Sequence, residues 1–80
     1  GGNLDSTGVQ MRYRGPLKDS IEDIQLLEAS AAWRKGGRKA ALRELQEKAQ
    51  KLNADGLYDI QFADDSSGTE ASGIAFRFRR

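Results

Sequence analysis

The stretch from Gly36 to Phe62, GGRKAALRELQEKAQKLNADGLYDIQF, constrains the fold more than any other part of the chain. It holds a helix, the stop of that helix and a following strand in continuous sequence. Leu42, Leu45, Ala49 and Leu52 recur at steps of three, four and three, which puts them on one helical face. Glu44 precedes Lys48 and Glu47 precedes Lys51 by one turn, the favourable order for side-chain pairs on an exposed face. Asn53 and the Asp55-Gly56 pair then supply residues that tolerate the left-handed geometry ending a helix. Beyond them Tyr58, Ile60 and Phe62 alternate with Asp59, Gln61 and Ala63, the period of a half-buried strand. A helix followed at once by an amphipathic strand means an α+β module.

The remaining segments fit around that unit. Residues 1–8 are small and polar and read as a flexible arm, leaving residues 9–80 as a single domain. Val9, Met11 and Tyr13 alternate with Gln10, Arg12 and Arg14, a strand pattern that Gly15-Pro16 ends. Residues 20–33 fit two readings. Ser20 with Asp23 resembles a capping box, and Ile21, Ile24 and Leu27 follow at helical spacing, but Ile24 to Ala31 also fits a strand of small residues. Asp64 to Gly73, DDSSGTEASG, lacks any large apolar side chain and reads as a loop or a long hairpin connection. Ile74, Phe76 and Phe78 alternate with Ala75, Arg77 and Arg79, so the last two strands make an antiparallel hairpin packed on the helix. Leu45 is expected at the centre of the core, facing Ile60 and Phe76.

Eighty residues support one small core, and domains of this size commonly add a disulfide, a metal or a partner. The chain has no Cys and no His, which removes disulfides and the commonest transition-metal ligand. Self-association gains weight by elimination. Ile24, Leu26, Leu27 and Trp33 form a second apolar cluster that one helix cannot cover, so Leu26, Leu27 and Trp33 are candidate interface residues. Net charge is +1 with both signs interspersed, which gives no general drive toward nucleic acid or an anionic membrane. No apolar run approaches the roughly 20 residues of a membrane helix. The start at Gly1-Gly2-Asn3 reads as a cut or processed chain, and the compartment stays open.

Chemistry has few carriers here. Without Cys or His a nucleophile–base triad cannot be assembled, and the expectation is a protein that is not an enzyme and takes no cofactor. Arg12 and Arg14 share one strand face, as do Arg77 and Arg79; if those strands are neighbours, the four form a candidate anion-binding stripe for phosphates. The preferred reading is a solvated face, with Phe76 and Phe78 on the inward side and no aromatic platform between the arginines. Asp59, Asp64, Asp65 and Glu70 could offer oxygen ligands to Ca²⁺ or Mg²⁺, but their spacing matches no calcium loop. Gly36-Gly37 before Arg38 and Lys39 could hold an anion at a helix start, though a hinge is the simpler use.

Ala41-Leu42-Arg43-Glu44-Leu45, then Ala49, Leu52, Ala54-Asp55-Gly56 and the closing Gly73-Ile74-Ala75 strand resemble the YbjQ-like family of small bacterial α+β proteins, in a superfamily related to RcsF. The resemblance runs from about Ile24 to Arg80. It implies a sheet packed on one long helix, Ile24 to Ala31 as a strand, and ring-shaped homo-oligomers. It also implies a loose heavy-metal-binding label, which a chain without Cys or His gives no reason to carry over.

The residues and the resemblance together lead to a mainly antiparallel sheet of three to four strands on one principal helix at about residues 37–52. The expected role is a self-associating or protein-binding module. The alternatives are an anionic-ligand or nucleic-acid binder using the arginine stripe and an oxygen-ligand metal site in the acidic loop.

Overall fold

Fifteen residues, Gly37–Lys51, form α1, and the strands around it are β1 (Gln10–Met11), β2 (Ile21–Ala32), β3 (Gly56–Asp64) and β4 (Gly68–Phe78). A 3-10 turn, Trp33–Lys35, joins β2 to α1. The computed structural model describes residues 9–11 and 21–79. The arm at 1–8, most of the strand expected over 9–14, and Ser20 of the expected capping box lie outside the described residues. The sheet order is β1-β3-β4-β2. β4 runs antiparallel to both β2 and β3, and the short β1 pairs parallel with β3. β2, α1 and β3 therefore form a βαβ unit with β4 inserted between its two parallel strands. The class is α+β: one helix on a mainly antiparallel sheet.

Residues 21–32 are strand throughout. From Leu27 to Ala31 the period is two: Leu27 and Ala29 are buried and Ala31 is partly buried, while Glu28 and Ser30 are exposed. The helical spacing of Ile21, Ile24 and Leu27 is produced by a bulge. Between Asp23 and Gln25 β2 gains one residue on β4, so Ile24 reaches the same core as Leu27.

The helix stop is a Schellman motif. The amide of Ala54 donates to Ala49 O at 3.0 Å and that of Asn53 to Gln50 O at 3.0 Å, with Asn53 at φ 57°. Asn53 thus takes the left-handed position, and Gly56 opens β3. At the other end Gly37 sits at φ 55°, and a Cβ built there would meet the Trp33 ring at 2.6 Å. Gly37 lets the indole lie directly against the start of α1, while a Cβ at Gly36 would meet Ala40.

The buried stripe of α1 is Gly37, Ala41, Leu45 and Ala49, with Leu42 and Leu52 half-buried at its margins. Leu45 and Ala49 belong to the face that leucine spacing suggests, and Ala41 rather than Leu42 takes the fully buried place beside them. The small residues let the helix lie close to a sheet surface that is itself small: Ala71, Gly73 and Ala75 of β4. A Cβ at Gly73 would be 3.3 Å from Ile60 Cγ1 and 3.5 Å from Leu45 Cδ2. Hence Gly68 to Gly73 is not the expected loop but the first half of β4. Its lack of large side chains is what close approach to α1 requires. The connection proper is only residues 65–67.

A second bulge corrects the expected face of β3. Its register on β4 passes from Tyr58↔Ile74 to Gln61↔Ser72, so β3 gains one residue there, and Asp59 stands at φ 55°. Leu57 before the bulge and Ile60 and Phe62 after it belong to the α1-side core, whereas Tyr58 points to the opposite face. Phe76 has the parity of Ile74 and lies with Tyr58, their ring centroids 6.0 Å apart, and Phe78 packs edge-on to Phe76 at 5.4 Å. Leu45 therefore faces Ile60 but not Phe76, and the two arginines after Phe76 share the parity of the α1 side.

Candidate interaction surface

Two faces of the sheet carry different chemistry. Along β2 the bulge places Asp23, Leu26, Glu28 and Ser30 on the face away from α1, opposite Phe76, Ile74, Ser72 and Glu70 of β4. No Lys or Arg stands on that face within β2, β3 and β4. Leu26 is 60% exposed in the middle of it, with half-buried Ile74 alongside. The Tyr58 hydroxyl donates across the face to the Asp23 carboxylate, 3.0 Å from each oxygen. Burial first, then this hydrogen bond and the nearby negative charge, raise the phenol above its ordinary value of 10.0.

Among the described residues β2 is an edge strand of 12 residues, paired on one side only, with β4. Unpaired edges are templates for another strand. Lys48 of α1 reaches over to donate to the Glu28 carbonyl at 2.7 Å, one of the lysine contacts by which edges are guarded.

The three candidate interface residues separate. Leu26 is exposed; Leu27, on the opposite parity, is buried under α1 at 7% exposure. Trp33 is 43% exposed, yet its Nε1–H donates to Asp65 O at 2.7 Å and its amide to Ser67 O at 3.1 Å. The indole ties the β3–β4 turn to the start of α1.

Of the candidate anion stripe, Arg12 and Arg14 lie outside the described residues. Arg77 donates to Leu52 O at 2.9 Å and Asn53 O at 3.2 Å, the two carbonyls just past α1, where a cation also meets the negative end of the helix. Arg79 is exposed beyond the end of β4.

The acidic turn is organised by its own donors. Asp65 Oδ1 accepts from Ser67 N, Ser67 Oγ and Gly68 N at 2.8–2.9 Å, and its carboxyl is held below the ordinary 3.8, the Ser67 hydroxyl contributing most. Asp64 accepts from Arg38 Nε and Nη2 and from Thr69 Oγ1, the last at 2.6 Å, and is likewise lowered, chiefly by Arg38. Arg38 also lies over the Phe62 ring, 5.0 Å from its centroid. Among the described residues no three carboxylates converge. Between this turn and the first turns of α1 lies an open cleft of about 760 Å³, lined by Lys35, Glu44, Thr69 and Glu70 among others.

Both lowered carboxyls stabilise the fold only while ionised. Their contribution is complete above the ordinary carboxylate value of 3.8 and is lost as pH falls through their lower folded values. Thermal melts should therefore decline modestly below about pH 4, both carboxylates being exposed to solvent. An Asp65→Ala variant should melt lower at pH 7 and show a shallower acid decline; identical acid profiles would remove Asp65 from the effect.

Sequence spacing could not have found the edge, because strand order is a tertiary property. The acidic character of β2 was readable: residues 21–32 hold Glu22, Asp23 and Glu28 and no Lys or Arg. Compared with family models, with characterised proteins and with solved structures, the chain matches none of them.

Proposed function

We propose that the chain is a non-catalytic protein-binding module whose working surface is the open side of β2 around Leu26. The observation that carries this reading is a large apolar side chain, 60% exposed, at the centre of a 12-residue strand that is a sheet edge among the described residues. The absence of Cys and His from the sequence and the engagement of Asp65 Oδ1 by three donors of its own turn both favour recognition over chemistry. Kinship with the YbjQ-like family belongs to this proposal, supported by the strand over Ile21–Ala32 and the helix stop after Lys51. The engagement of Arg77 with the end of α1 gives the anion-binding reading no comparable support.

The test is a photo-crosslinking amino acid at position 26, compared with one at exposed Lys51 of α1, irradiated in an extract of the native cell. A discrete adduct from position 26 and none from 51 is the expected result, and mass spectrometry then distinguishes a second copy from another protein. If position 26 gives no adduct, or both positions label the same mixture, the reading fails.

A further inference from the structure

Resting on that reading, we propose that the outer edge of β2 takes up an extended segment of another protein as an added strand. The segment carries Lys or Arg on either side of an apolar residue at alternate positions. In strand addition the main chain supplies affinity and alternate side chains supply specificity. The side chains of the open face beside which such a strand would lie are Asp23, Leu26 and Glu28, in that order, the Asp23 carboxylate also accepting from Tyr58 on the inner side. The bulge at Ile24 is what brings Asp23 onto this face beside Leu26, although the two are three residues apart. The face thus reads acid, leucine, acid, and its complement on a neighbouring strand is base, apolar, base.

Charge argues against a second copy as the occupant. β2 contains no Lys or Arg, so an antiparallel pair of β2 strands makes no opposite-charge contact in any register. With the bulge at Ile24 taken into account, a pair centred on Leu26 sets Asp23 against Glu28 on the open face; like charges directly opposite are destabilising. The Lys48 ammonium, on the Glu28 carbonyl at 2.7 Å, guards this edge and has to move aside for an added strand.

The experiment uses the 80-residue chain and capped nine-residue peptides, one alternating Lys with Val, one alternating Glu with Val, and one Lys–Val peptide with its central Val replaced by Pro. Titrations are followed by amide exchange. The Lys–Val peptide should bind and protect β2 amides, and the Pro peptide should bind more weakly. Glu28→Lys should weaken the Lys–Val peptide about fivefold to tenfold, as expected for converting an attractive cross-strand pair to a repulsive one, and improve the Glu–Val peptide. Leu26→Ser, an exposed change that leaves the core intact, should weaken both. The inference falls if the Lys–Val peptide does not bind, if neither substitution alters it, or if protection appears at the turn cleft instead of β2. A wild-type mass that doubles with concentration and returns to monomer in Leu26→Ser would assign the edge to a second copy, which also overturns it. A position-26 adduct without peptide binding leaves the protein-binding reading standing and removes this one.

Discussion

Leu45→Ala is expected to lower stability by about 2–5 kcal/mol, the lost transfer energy plus that of a cavity which cannot collapse. Leu45 is fully buried, and its neighbours on the stripe, Ala41 and Ala49, are too short to move into the space. Across the gap stand Gly73 and Ala71, with no side chain to extend. At roughly 4–8 °C per kcal/mol for a domain of this size, melting should drop by tens of degrees or vanish. Calorimetry of Leu45→Ala beside Leu26→Ala decides the matter. The exposed Leu26 should change stability by no more than about 0.5 kcal/mol. Equal effects at the two positions would contradict the assignment of core and surface.

Gly68→Ala is the second large effect, and it acts through the backbone. A Cβ at residue 68 would stand 2.3 Å from Ala31 O and 2.8 Å from Ala32 Cα. Neither atom belongs to a side chain that can rotate away, so β2 and β4 must part at the start of their ladder. A cost of about 1–3 kcal/mol is expected, the range for forced overpacking. Separation there also pulls on Trp33, whose amide donates to Ser67 O. Urea unfolding should show a lower midpoint with an unchanged slope, and Trp33 emission should report the loosened turn in the native baseline. Ser66→Ala, two residues before Gly68 and exposed, serves as the neutral comparison.

The helix and its stop were legible because they depend on local chemistry: periodic Leu and Ala, then an Asn able to adopt φ 57°. The same locality failed at three places. Gly68 to Gly73 was hidden because a strand under a close helix carries Ala and Gly, which look like a loop in sequence. Tyr58 was assigned to the face of Ile60 because alternation assumes a ladder without extra residues, and the bulge at Asp59 reverses it. Ile24 gave β2 a helical spacing for the same reason. Of the candidate surface, Leu26 was legible as an apolar residue without cover, whereas its position on an edge depends on β4 passing between β2 and β3. No pattern within residues 21–32 encodes that order. Arg77 is exposed, but its contact with the Leu52 and Asn53 carbonyls is set by tertiary packing and has no signal in the sequence.

The facing surfaces of α1 and β4 are Gly37, Ala41 and Ala49 against Ala71, Gly73 and Ala75, with Leu45 the large side chain among them. Glycine and alanine have no rotamers to freeze, so this contact forms with little loss of side-chain entropy. It also removes less apolar area from water than a contact between large residues would. Since the heat capacity of unfolding follows that area, the curve of stability against temperature is flattened. A helix seated on alanine and glycine is held by closeness of approach, and its hold changes little between cold and warm water.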